Sequence, residues 1–158
     1  MTESVYIESS IISYLTARLN RDVVITARQT ITINWWQNHK SEFELFISAL
    51  VIQEISKGDS EAAQKRLDAV ESLPLLETSD EALSLAEDLI AKGAIPDNSE
   101  EDALHIGIAA SAGVDYLLTW NFRHINNAQT KEKIVSVIES HGFKCPVLCS
   151  PEELGAEI

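Results

Sequence analysis

The feature that most restricts this chain is a series of short apolar runs, each too brief to be a helix, separated by segments of helical period. The runs are Val5-Tyr6-Ile7, Phe43-Glu44-Leu45-Phe46-Ile47, Leu73-Pro74-Leu75-Leu76, Tyr116-Leu117-Leu118 and Val147-Leu148. Most lack the apolar–polar alternation of a strand with one wet face, so they read as strands buried on both sides. Parallel neighbours need a crossover of about a dozen residues, usually a helix, and the gaps here carry helical stripes. The expectation is an α/β chain: a three-layer α/β/α sandwich with a four- or five-stranded parallel sheet. Residues 1–158 are read as a single domain.

The helices are read from stripes and punctuation. Ser9-Ser10 reads as an N-cap for a stripe of Ile11, Ile12, Leu15 and Leu19. Val24, Ala27, Ile31 and Trp35 keep the helical period, although Ile31-Thr32-Ile33-Asn34-Trp35 also alternates like a strand. Ser48 caps a helix carrying Leu50, Val51, Ile52 and Ile55, which stops at Gly58. A further helix spans Ser60 to Val70. Asp80 caps the next, with Leu83, Ala86 and Ile90 inward and Gly93 as terminator. Pro96-Asp97-Asn98-Ser99 turns into a helix through Ala112, and Lys131 to Ser140 is helical with Gly142 after it. Ser150-Pro151-Glu152-Glu153 has capping-box spacing.

Charge narrows the functional classes. Acidic residues outnumber basic ones 25 to 12, a net charge of −13. Such a field repels nucleic-acid backbone and disfavours a passive nucleic-acid-binding module. It counts less against a metal nuclease, whose cations reverse the sign locally, and it suits a basic protein partner. Cys145 and Cys149 follow His141 as H-x3-C-x3-C, without an obvious fourth zinc ligand, and read as free thiols in a reducing compartment. No apolar run approaches the roughly 20 residues needed to span a bilayer, and Met1-Thr2-Glu3-Ser4 does not resemble a signal peptide. The expected location is the cytoplasm.

In a parallel sheet the ligand crevice lies beyond the carboxyl ends of the strands, where the strand order reverses. Glu8-Ser9-Ser10 follows the first strand and Thr119-Trp120-Asn121 the fourth. Four segments then stand out: Val5 to Ile12, Ser48 to Ile55, Asp102 to Ala110, and Tyr116 to Phe122. Their order and spacing resemble the PIN-domain family, and within it the toxin nucleases of the VapC type, over nearly the whole chain. The resemblance implies a PIN-like sandwich whose site residues are Glu8, Glu54, Asp102 and Asn121. It implies Mg2+ or Mn2+ held by Glu8, Glu54 and Asp102, hydrolysis of RNA, a small antitoxin partner and a homodimer. Trp35, Trp36 and Phe43 are read as aromatic material beyond one core, available to that dimer.

Two positions depart from the family pattern. Glu8 stands where aspartate is usual and reaches one methylene further. Asn121 also replaces aspartate; its amide oxygen can ligate a cation but adds no charge and cannot act as a base. The chemistry supports the cluster independently. Cutting a phosphodiester needs an activated water and relief of charge on phosphate oxygens, and hard cations held by carboxylates supply both.

Each residue has a plainer reading as well. Glu8 can be a solvated strand end, Glu54 a member of the polar face with Gln53, Ser56 and Lys57, and Asp102 a capping partner of Ser99. Asn121 either satisfies a loop backbone or belongs to the site. Ser9 and Thr119 read as hydrogen-bonding neighbours. His105 and His124 invite a general-base role, against which His105 reads as a packed histidine. Trp120 either stacks a base or packs, and Asp97, Glu100 and Glu101 either add negative potential or form a solvated helix start. The functional expectation is a metal-dependent endoribonuclease, the toxin of a toxin–antitoxin pair. The alternative is a catalytically weakened PIN-like module that binds RNA or protein, and a third reading is a structure-specific DNA nuclease.

Overall fold

Val5, Tyr6 and Ile7 are fully buried at the centre of the molecule, which is described for residues 2–155 by a computed structural model. They belong to β1 (Ser4–Ile7), and β2 (Glu44–Ser48), β3 (Leu75–Leu76), β4 (Tyr116–Leu118) and β5 (Val147–Cys149) complete the sheet. The order is β3-β2-β1-β4-β5, and every pairing is parallel.

Helices α1 (Ser9–Thr16) and α2 (Val23–Asn38) join β1 to β2, and α3 (Ala49–Ile55) and α4 (Ser60–Val70) join β2 to β3. The long return to β4 carries α5 (Asp80–Ala91) and α6 (Glu100–Ala112), and α7 (Lys131–Ser140) leads to β5. Right-handed crossovers place helices on one face while the chain winds one way, and on the other face once it reverses. The packing agrees: α1 lies against α2, α3 and α4, and α5 lies against α6 and α7. The three-layer PIN-like sandwich follows, with the reversal between β1 and β4.

Gly107 sets the fit of α5 on α6. A Cβ at this position would sit 2.3 Å from the Ala82 carbonyl oxygen, so only glycine permits the approach. At the end of α6, Gly113 takes φ 74° and closes the helix, a left-handed backbone that glycine adopts without strain.

Several local expectations are corrected. α1 stops at Thr16, and Leu19 lies outside it, 78% exposed. Its N-cap is Glu8, without a side-chain cap bond, because the Ser9 and Ser10 hydroxyls are spent on Glu54 and Glu8. Ser79, not Asp80, caps α5, its Oγ accepting from Ala82 N at 3.1 Å, and Leu83 faces outward while Ala82, Leu85, Ala86 and Leu89 are buried. Residues 31–35 are helical, and α2 buries Gln29, Thr32 and Trp35 rather than the Val24–Ala27–Ile31 stripe. Gln29 goes inside because its amide donates to Arg18 O (2.8 Å) and accepts from Asn20 N (3.2 Å), fixing the α1–α2 connection. β2 starts a residue later than expected, and β3 is only Leu75–Leu76.

Cys145 and Cys149 are free and buried, and burial pushes both thiols up to about 12. His141 bonds Asp88 instead, at 2.8 Å. Among the described residues no helix is long and apolar enough to cross a membrane.

Candidate metal centre

Glu8 emerges directly from β1, and its backbone N–H still donates to Leu118 O of β4 at 3.1 Å. Its carboxylate therefore starts at the reversal point of the sheet. Oε1 accepts from Thr119 Oγ1 at 2.6 Å and from the Ser10 hydroxyl, in a side chain left only 6% exposed. A buried carboxylate needs such donors, because an unsolvated charge without them costs several kcal/mol, about 3 or more.

Glu54 reaches the same place from α3, whose start is fixed by the Ser48 hydroxyl accepting from Val51 N at 3.3 Å. Its Oε1 accepts from Ser9 Oγ at 2.5 Å and from His105 Nε2 at 2.6 Å. Ligand atoms of Glu8, Glu54 and His105 all lie within 4.8 Å of one another. On both carboxylates Oε1 takes the hydrogen bonds, and among the described residues neither Oε2 accepts one. Neither Oε2 is a buried orphan either, so solvent reaches both.

His105 is fully buried, as its reading as a packed histidine expects, yet both ring nitrogens are engaged. The carboxylate can only accept, so Nε2 carries a proton. Nδ1 lies 2.7 Å from the Tyr6 hydroxyl, itself 2.7 Å from Ser48 Oγ. Burial alone disfavours charge on the imidazole. The Glu54 hydrogen bond and the charges of Glu8, Glu54 and Asp102 outweigh it, and the pKa is held above the ordinary value. Glu54 responds in the opposite sense: burial raises its pKa, but the His105 and Ser9 bonds and nearby cations hold it below the usual range. The Tyr6 phenol is pushed up, chiefly by burial.

Asp102 is not one of the three residues whose ligand atoms lie within 4.8 Å of one another, but its charge still acts on His105. It occupies the first turn of α6, one turn before His105, and its Oδ2 lies 2.8 Å from His124 Nδ1. Asn121 is tied into its own loop. Its Oδ1 accepts from His124 N at 2.9 Å, and its backbone N–H donates to Thr119 Oγ1 at 2.9 Å. Trp120 packs rather than standing free: it is 4% exposed, and its Nε1 donates to Thr32 Oγ1 at 2.7 Å. Asp97, Glu100 and Glu101 are exposed at the approach to α6.

The sequence reading places Tyr6 in a buried strand and Ser48 at a helix cap, as found, but misses that the Tyr6 hydroxyl reaches His105 and meets that of Ser48. The available signal was alternation: Tyr6 lies two residues before Glu8, on the same face of the strand. As a test of fit, two carboxylates at this separation repel each other unless a cation or proton intervenes. Each keeps one solvent-reached oxygen without a hydrogen bond, the donor type that Mg2+ and Mn2+ prefer. The set fits a divalent cation.

No family model matches the chain, and no curated protein matches it. A solved structure, VapBC2 from Rickettsia felis bound to a DNA fragment from their promoter, contains a chain that superposes with a TM-score of 0.52. The match covers 93% of this chain and 98% of that one, at 17% sequence identity. A likeness at that identity concerns the path of the backbone.

Proposed function

Starting from the PIN-like fold that this chain has, we propose that it is a metal-dependent endoribonuclease hydrolysing RNA phosphodiester bonds, the toxin of a toxin–antitoxin pair. The observation that carries this reading is the meeting of Glu8 and Glu54 at the sheet reversal, each with one oxygen held and one left open. Glu8, Glu54 and Asp102 are the proposed ligands of Mg2+ or Mn2+. When bound, the cation acidifies a water and offsets charge on the phosphate oxygens.

The chain's own residues fix the geometry. Ser10 and Thr119 hold Glu8; Ser9 and His105 hold Glu54; His124 holds Asp102. Asn121 shapes the loop after β4 and is proposed to steady the water or a second ion from there. The likeness to a VapBC2 complex supports an antitoxin partner, and the charge of −13 favours a basic segment on it. Cytoplasmic location and a homodimer belong to the same reading. The dimer rests on the resemblance alone, because Trp35 is buried and stacks on Phe43 with ring centres 5.9 Å apart.

The second reading, a weakened binding module, is favoured by the neutral Asn121 whose oxygen is already engaged by His124 N. A Mn2+ titration followed by electron paramagnetic resonance, paired with RNA cleavage, separates the two. Glu8→Gln and Glu54→Gln should each weaken Mn2+ at least about tenfold and abolish cutting. If the wild type binds Mn2+ no better than the double variant, the nuclease reading fails and the binding module takes its place.

A further inference from the structure

Beside the carboxylates lies a cation held between two aromatic rings. Phe122, in the loop after β4, is 37% exposed and meets Trp120 edge-on at 5.9 Å. Arg28 of α2 places its guanidinium carbon 5.2 Å from the Phe122 ring centre and 5.4 Å from that of Trp120. Its side chain makes one hydrogen bond among the described residues, a long one of 3.4 Å to the Tyr14 hydroxyl. No described carboxylate forms a salt bridge with it, although acidic residues number 25 in the chain. The guanidinium carbon lies over both rings, while most of the group's five donors stay available.

This group is coupled to the metal centre. The Trp120 backbone N–H donates to Ser10 Oγ at 2.8 Å, and the same hydroxyl donates to Glu8. One serine thus bridges the aromatic loop to a proposed metal ligand. Trp120 itself cannot take a base, since it is packed with its Nε1 committed to Thr32. Phe122 is the ring of the pair that solvent reaches.

We propose that Phe122 and Arg28 form a nucleotide subsite for single-stranded RNA, in which a base stacks on the Phe122 ring and Arg28 takes an adjoining phosphate. The proposal rests on the nuclease reading and supplies its substrate class. A base can reach a ring only if it is unpaired, which selects single strands over duplex. A surface this acidic repels a polyanion except where a cation is unneutralised, and Arg28 is such a place. The guanidinium fork fits a phosphate better than an ammonium does.

The test is fluorescence anisotropy with a labelled, cleavage-resistant phosphorothioate oligoribonucleotide at saturating Mn2+, alongside Mn2+ affinity for each variant. Phe122→Ala should weaken single-strand binding about tenfold or more, and Phe122→Tyr should retain it, because stacking needs only the ring. Arg28→Ala should lower the slope of affinity against salt by about one, and Arg28→Lys should restore that slope but only part of the affinity. Mn2+ affinity should be unchanged throughout. Equal RNA affinity in wild type, Phe122→Ala and Arg28→Ala, with Mn2+ still bound, overturns the subsite and leaves the metal centre standing. Equal losses for Phe122→Ala and Phe122→Tyr overturn it as well, and these two chains need only match in thermal unfolding for that comparison to decide. If the wild type binds neither Mn2+ nor RNA, the nuclease reading falls and takes the subsite with it.

Discussion

Two histidine–carboxylate pairs sit one turn apart along α6, and they are built differently. In one, His105 is fully buried and ties Glu54 to Tyr6 and Ser48, so the carboxylate is braced from the strands of the core. In the other, His124 and Asp102 have side chains 23% and 20% exposed, and the histidine comes from a loop. A carboxylate braced through a buried network has its direction set before any ligand arrives. One paired near the surface keeps rotational freedom and exchanges its partner for water at little cost. Glu54 is thus preorganised and Asp102 adjustable, a division of labour that, on the proposed reading, would let one site grip a cation and still admit a bulky phosphate beside it.

The largest effect expected is that of His105→Leu. It strips a partner from Glu54 and from the buried Tyr6 hydroxyl together, and should cost about 3 kcal/mol in urea unfolding. That figure lies at the low end for a broken buried pair because the Glu54 side chain remains 26% exposed. Tyr6→Phe comes next. It leaves His105 Nδ1 without a partner while keeping the ring, at about 1–2 kcal/mol. A double-mutant cycle between the two should show strong coupling, and additivity would dissolve the idea of a connected brace.

His124→Ala should cost about 1 kcal/mol, because this half-buried pair has water within reach of both partners and no fully buried group is orphaned. If it matches His105→Leu by the same unfolding assay, the contrast between the two pairs is wrong. The smallest expected change is that of Asn121→Asp. The new carboxylate keeps an acceptor for His124 N, so the fold should not shift, and the added charge should raise Mn2+ affinity by roughly threefold, on the scale of one partly exposed charge. No change in Mn2+ affinity would place Asn121 outside the metal's reach.

The sequence disclosed the parts of this design that local rules control. Val5-Tyr6-Ile7 and Tyr116-Leu117-Leu118 are apolar because both sheet faces are covered, and that alone predicts parallel strands and a crevice after Glu8 and Thr119. Glu54 was readable as a carboxylate on a helix after a strand, but its pairing with His105 spans 51 positions and has no local signature. α2 shows the same limit from another side. Thr32 is buried because Trp120, far along the chain, donates to it, and no count of apolar residues in residues 23–38 reveals that partner. Tyr6 looked like one more apolar strand residue, since the two hydroxyl contacts that give it a role come from β2 and α6. Ser9 and Ser10 looked like a helix cap for the complementary reason: the tertiary bonds to the carboxylates outcompete the local one.

The strand order also fixes when the centre can come into being. Glu8 and Glu54 both lie within residues 1–54, and β1 can pair with β2 as soon as those residues have left the ribosome. Ser9 and Ser10 are present from the start, but the other two donors arrive later: His105 stands 51 positions after Glu54 and Thr119 111 after Glu8, and β4 must dock on the free side of β1 before the Thr119 hydroxyl is in place. Closing so long a loop is slow compared with forming the early helices. A half-made chain therefore presents two carboxylates with only the serine half of the groups that aim them. The centre is therefore complete only after β4 has been made and docked, well after both carboxylates are present.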